Sequence, residues 1–123
     1  MASRLHGIDA LDRAAAEVVH EAEYYFREGG PSVARGFLDD FERTATRIVE
    51  APRSFPEWPR KPGVRRALLA RYPFAIGFVV GEDGVDDGPL VVVVAHGKRR
   101  PGYWFARSFA DRAERSPNGD DNT

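Results

Sequence analysis

Two stretches of the chain repeat apolar residues at the three- and four-residue spacings that line up on one face of a helix. In the first, Ala15, Val18, Val19, Ala22, Tyr25 and Phe26 recur between Arg13 and Glu28, and Asp12 is placed to cap the first turn. Gly29 and Gly30 end that helix, because glycine accepts the left-handed backbone of a C-terminal cap, and Pro31-Ser32 opens a second. The second stripe is Ala34, Phe37, Leu38, Phe41, Ala45, Ile48 and Val49, from about Val33 to Glu50, closed by Pro52. The pattern predicts a helical hairpin with two apolar faces that need a common surface.

Strand-like patterns lie on either side. LHGIDAL, residues 5–11, alternates weakly and reads as a short first strand. APRSFPEWPRKPG, residues 51–63, holds four prolines in 13 positions, so it is expected as an extended surface connection pinned by Phe55 and Trp58. VRRALLAR (64–71), FAIGFVV (74–80) and LVVVVAH (90–96) are rich in β-branched and aromatic residues, and the connections between them are too short for a crossover helix. They predict an antiparallel meander.

The order β, α, α, β, β, β predicts an α+β two-layer sandwich, with the hairpin on one face of the sheet and the other face partly open. Side chains alternate along a strand, so one of Arg65 and Arg66 faces the helices and the other the open face; the pattern leaves both phases open, although Leu68 as a core residue would put Arg66 on the helix side and Arg65 on the open side.

At 123 residues, 42% hydrophobic and 30% charged, the composition is that of one soluble domain, expected over residues 1–107 and followed by a polar tail over 108–123. The absence of cysteine excludes disulfides, thiolate metal sites and cysteine nucleophiles. The longest apolar run, Leu90 to Ala95, is far shorter than the roughly 20 residues that span a bilayer, and the first residues do not read as a secretory leader. A cytoplasmic location without membrane contact is the expectation.

The net charge of -1 conceals an uneven layout. Residues 1–59 carry 7 basic against 11 acidic side chains, and residues 60–107 carry 9 against 4. Either this is ordinary solvated charge or one face is positive and meets nucleic acid or an acidic protein.

No glycine-rich phosphate loop, zinc-type spacing or strained serine elbow occurs, so neither a metal site nor a cofactor is expected. His20 falls on the polar side of the first helix and His6 at the margin of the weak strand. The segment that concentrates chemistry is VAHGKRRPGYWFAR, residues 94–107. It sets His96 at the end of a buried strand, then Lys98, Arg99 and Arg100, then Tyr103, Trp104 and Arg107. Groups just past a strand end are held at the root and point into solvent, which suits recognition or catalysis. In the plainer alternative Tyr103 and Trp104 close the edge of the core while the cations are only solvated.

HEAEYYF at 20–26, GVRRALLARYPFAIGFVV at 63–80 and VVVVAHGKRRPGYWFAR at 91–107, in this order of elements, resemble the RelE/ParE superfamily of type II toxin–antitoxin toxins over residues 5–107. The arginine pair, the basic residue before an aromatic-Pro-Phe turn, and the closing AH-x-x-R-x-P-x-Y-W carry the resemblance. It implies a toxin neutralised by a cognate antitoxin, as a hetero-oligomer, and one of two targets.

ParE-like members inhibit DNA gyrase, with Arg65, Arg66, Lys98, Arg99, Arg100, Trp104 and Arg107 as the target-binding set here. RelE-like members cleave mRNA on the ribosome, and in that case His96, Arg100 and Tyr103 are the catalytic candidates. Mild acidity and the lack of a dense lysine set favour the gyrase reading, because a ribosome-bound nuclease draws most of its affinity from phosphate contacts. The third alternative is an inactive binding module of the same fold.

Overall fold

A computed structural model of the chain describes residues 2–81, 88–99 and 102–106. The elements run β1 (Ala2–Leu5), β2 (Ile8–Leu11), α1 (Asp12–Gly29), α2 (Pro31–Glu50), a 3-10 turn (Pro52–Ser54), β3 (Glu57–Trp58), β4 (Lys61–Leu68), β5 (Phe74–Val80) and β6 (Pro89–His96). One six-stranded sheet takes the order β1-β2-β6-β5-β4-β3. This is the expected α+β arrangement of N-terminal strand region, helical hairpin and antiparallel β4-β5-β6 meander. The expected tail over 108–123 and most of the turn between β5 and β6 lie outside the described residues.

The first strand is in fact a hairpin. His6 and Gly7 adopt positive φ, 48° and 88°, and fold LHGIDAL back on itself so that Leu5 pairs with Ile8. Two consecutive residues at positive φ make the tight reversal whose twist matches the flanking strands. β2 then runs parallel to β6, pairing only Asp9 with Leu90 and Ala10 with Val91 before α1 begins. Asp12 does not cap α1. Leu11 occupies that position, and the Asp12 carboxylate accepts a hydrogen bond from the Ser3 hydroxyl at 2.6 Å.

The proline-rich segment is more ordered than a bare connection. Phe55 packs edge-on to Phe78 at 5.8 Å, and β3 adds a two-residue edge to β4. So short an edge suits prolines, which have no amide to donate.

α1 rests on the sheet through Ala14 and Val18, with Ala22 and Tyr25 partly buried, while Val19 (53% exposed) and Phe26 (57%) face outward. The buried stripe is therefore rotated from the one expected. α2 buries Ala34, Phe37, Phe41, Thr44, Ala45 and Ile48, and Val49 stays exposed. These helical side chains meet Ala67, Leu69, Phe74, Ile76, Phe78, Val91 and Val94 to form the main core.

The sequence pattern of α2 omits its most consequential polar residue. Asp40 is 1% exposed, and its carboxylate accepts the amides of Ala70 (3.3 Å), Arg71 (2.7 Å) and Tyr72 (3.1 Å). A buried carboxylate is tolerable only when its oxygens are satisfied in this way. The turn between β4 and β5 is thereby tied to α2, and the Tyr72 hydroxyl adds a bond to the Val33 carbonyl at 3.0 Å. That hydroxyl would lie 2.6 Å from a Cβ on Gly36, so a larger residue there would have to push the tyrosine away from this bond.

A bulge interrupts β6. Gly77 pairs with Val93 while Phe78 pairs with Val91, so Val92 is the extra residue. Val91 and Val94 consequently face the helices, whereas Leu90, Val92, Val93 and Ala95 face the opposite side with Leu11, Val64 and Trp104. A plain alternation would have placed Val93 with the helices.

The parity of β4, which the pattern leaves open, is the opposite of the one that a buried Leu68 would give. Leu68 is 60% exposed, and Ala67 and Leu69 are the residues that enter the helix-side core. Arg65 accordingly lies on the helix side and Arg66 on the open side. Leu68 misleads because a leucine at a strand end signals burial by type alone, yet here it fills no core.

Candidate functional site

The site grows from the end of β6. His96 pairs with Phe74, whose ring meets the imidazole edge-on at 4.7 Å, and the Gly97 amide donates to the Pro73 carbonyl at 2.7 Å. The chain then turns tightly. The Lys98 amide donates to Nδ1 of His96 at 2.9 Å, and the Arg99 amide donates to the His96 carbonyl at 3.1 Å. Because Nδ1 accepts, the neutral ring carries its proton on Nε2.

Arg99 stacks on Tyr103 with its guanidinium carbon 4.0 Å from the ring centroid. Trp104 is 1% exposed and stands edge-on to both Trp58 (4.7 Å) and Phe105 (4.9 Å). The Lys61 ammonium donates to the Phe105 carbonyl at 2.9 Å, fastening the segment to β4. The second face of the sheet is thus covered at its centre by rings, and the plainer expectation for Trp104, that it closes the core edge, describes its place. It holds the surface from beneath, and Arg99 and Tyr103 form that surface.

Beside this cover lies a groove of about 310 Å³ lined by Trp58, Arg60, Arg66, Leu68, Ala75, Ala95, His96, Arg99, Tyr103 and Phe105, among others. Its origin is side-chain size. Leu68, Ala75 and Ala95 form one row across three paired strands, and two alanines leave a depression. In the next row Gly77 has no side chain, and Trp58 fills that space, its ring 3.1 Å from where a Cβ would stand. Arg66 lies over the Trp58 ring at 5.9 Å. No described residue lining the groove is acidic.

His96, Arg99 and Tyr103 also border a second groove, of about 250 Å³, whose other wall is Arg13, Glu17, His20 and Glu21 of α1. The three therefore form a ridge between an acid-free groove and a mixed-charge one. Glu17 accepts the Val94 amide at 2.9 Å, where β2 no longer reaches β6. Burial, with Glu21 adding to it, pushes the Tyr25 hydroxyl above its ordinary value of 10.0, but Tyr25 lines neither groove.

Of the expected site residues, the fold gathers Arg66, His96, Arg99 and Tyr103 around one groove, with Lys98 in the turn between His96 and Arg99. It does not bring Arg65 there. Arg65 donates to the carbonyls of Phe55 (2.5 Å) and Arg53 (3.4 Å) and so holds the proline-rich segment. Arg100 and Arg107 lie outside the described residues.

Reading the sequence missed Arg60 and Leu68 as lining residues and Lys61 as a fastener. The arginine was legible only as a charge in a proline-rich stretch, and its positive φ of 64° has no sequence signature. Among the described residues no group of three or more His, Asp or Glu side chains is placed to hold a metal ion, and no helix is long and apolar enough to cross a membrane.

No family model and no curated protein matches the chain. Among solved structures it is similar to a chain of one described as "Chromosomal ParDE TA system from P. aeruginosa", with 22% sequence identity and a TM-score of 0.61 over 71% of this chain and 90% of that one. At this identity the likeness is one of fold, and this chain shares that fold.

Proposed function

We propose that this chain is a ParE-like toxin of a type II toxin–antitoxin module, that it arrests growth by inhibiting DNA gyrase, and that a cognate antitoxin neutralises it. The observation that carries the reading is the cationic ridge of His96, Lys98, Arg99 and Tyr103, rooted in a central strand of a fold like that of the ParDE structure. A charged surface fixed at its root on a buried strand binds a partner with little ordering cost.

Fold alone does not choose among activities, so the target is argued from the ridge. RNA cleavage by a 2′-hydroxyl needs a base, an acid and cations around the phosphate. His96, Tyr103 and Arg99 lie together, and this keeps a RelE-like endoribonuclease as the second reading. The Tyr103 ring, however, is occupied by the Arg99 stack, an arrangement suited to presenting a guanidinium.

Expression of the chain alone should stop growth, and plasmid supercoiling should fall while ribosome-associated mRNA stays intact. Cuts in mRNA with normal supercoiling would transfer the assignment to the nuclease, and normal growth with abundant folded protein would end the toxin reading. Tyr103→Phe separates the two mechanisms as well. A nuclease using that hydroxyl for proton transfer should slow by about 100-fold or more, whereas a gyrase-binding surface should keep its effect.

A further inference from the structure

We propose that two copies of this chain pair through α1, antiparallel and about a two-fold axis between His20 and Glu21, with Phe26 of each copy seated against Ala15 of the other. The proposal goes beyond the toxin reading and stands apart from it, because its readout is the mass of the protein in solution.

The fold leaves an apolar seam uncovered. α1 turns Ala14 and Val18 into the core, whereas Val19 (53% exposed) and Phe26 (57%) belong to neither core cluster. With Ala15 and Ala22 these two recur at spacings of four, three and four residues, which draws a narrow apolar line along the helix. That interval is the one by which one helix packs along another. The line borders a groove of about 450 Å³ lined by Leu5, Val18, Val19, Ala22, Phe26 and Leu38, among others. Exposed apolar side chains gathered in this way mark a place for a partner.

The order of side chains along the seam points to a second copy. Laid antiparallel on itself, the line sets Phe26 opposite Ala15 and Val19 opposite Ala22, a larger side chain against a smaller one at every level. A two-fold pair presents the same patch from both copies, so a helix that complements its own reversal is suited to it. Charge follows the same symmetry. In this register Arg27 of each copy comes beside Asp12 of the other at the two ends of the pair, and Glu23 comes beside Ala16. All four residues are exposed, and no like charges meet along that flank.

The length of the helix sets the strength of the pair. α1 has 18 residues and is about 27 Å long, so one helix pair buries less than the roughly 1,600 Å² of a standard interface. Association should be weak and governed by concentration, half complete at about 50 μM.

Sedimentation velocity of the full-length protein, made by cell-free synthesis, should show the mass rising from one chain toward two between about 5 and 500 μM. Val19→Asp and Phe26→Asp should each weaken association at least about tenfold with an unchanged circular dichroism spectrum, since both side chains are exposed in the single chain. Arg27→Glu and Asp12→Lys should each weaken it by about fivefold, and an equimolar mixture of the two should regain the parent affinity. Only the mixed pair brings opposite charges together at both ends, whereas damage to the fold of either variant would persist in the mixture. Because the chain has no cysteine, Val19→Cys, close to the axis, should be joined to its counterpart by a short bismaleimide, and Glu28→Cys, on the same helix but off the line, should not.

A single chain's mass up to about 500 μM overturns the proposal, as does association that Val19→Asp and Phe26→Asp leave intact, or a charge-reversed mixture no tighter than its components. A chain that stays single while Phe26→Asp escapes neutralisation by the antitoxin overturns it as well, and gives the seam to the antitoxin.

Discussion

The two faces of the sheet are closed by different means. On one, a helical hairpin delivers Phe37, Phe41 and Ile48 to the sheet and builds the main core there. On the other, Trp58, Trp104 and Phe105 cover Val64, Val93 and Gly77, and the cover stops at a row of two alanines and an exposed leucine. The first face stabilises by area removed from water. The second face stabilises at its centre and recognises at its margin, so a single β6 strand contributes to both.

Substitutions that separate these roles test the comparison. The largest effect should come from the helix-covered face. Phe41→Ala, at a position with 0% exposure, should cost about 3 to 5 kcal/mol through lost burial and a cavity, read as a lower denaturant midpoint. With a domain of this size holding about 5 to 15 kcal/mol in all, the variant should be visibly unstable. An unchanged midpoint would mean that α2 is not phased as described.

Trp104→Ala should be the next most damaging, at about 3 kcal/mol, since the ring is fully buried but its partners are fewer and lie in one thin layer. It should also abolish growth arrest, because Arg99 and Tyr103 lose their support. Full toxicity in a folded Trp104→Ala protein would detach the ring cover from the site. Asp40→Asn should cost about 2 kcal/mol, as one oxygen that accepts amide hydrogens becomes a donor, with protection against hydrogen exchange lost first at residues 70–72.

The smallest change in stability should accompany Arg99→Ala, below about 1 kcal/mol, since the side chain is exposed and loses one cation–π contact. Growth arrest should nonetheless fall sharply. A fully toxic Arg99→Ala chain would remove the ridge from the functional surface.

What could be read from the sequence follows from how far apart in the chain the determinants lie. The stripe of α2 and the β5 and β6 runs are local periodic signals, and they emerged as strand and helix with small shifts at the ends. The cluster of His96, Lys98, Arg99 and Tyr103 was visible for the same reason, being contiguous. Three features were not. The His6–Gly7 reversal rests on a histidine at positive φ, which residue type does not announce.

Which of Arg65 and Arg66 faces the groove was not legible, because Leu68 and Leu69 argue for opposite phases and only the folded strand shows that Ala67 and Leu69 are the residues that pack. Asp40 looked like any acidic residue on a helix until the β4–β5 turn, thirty residues on, supplied three amides. Contacts of that span have no imprint on local pattern.

The bulge at Val92 adds a residue on which the sorting of side chains along the rest of β6 does not depend. Within LVVVV one aliphatic residue can replace another at modest cost, because every position of the run is buried on one face or the other. Removing a single valine would leave Phe78 opposite Val91, Ile76 opposite Val94 and Ala75 opposite Ala95, with each of these side chains on its present face, and would erase only the local bend and extra twist of the bulge. This strand is therefore expected to tolerate aliphatic substitutions and even the loss of its extra valine, so that what the bulge supplies is the aim of the segment beyond it and not the sorting of side chains between the two faces.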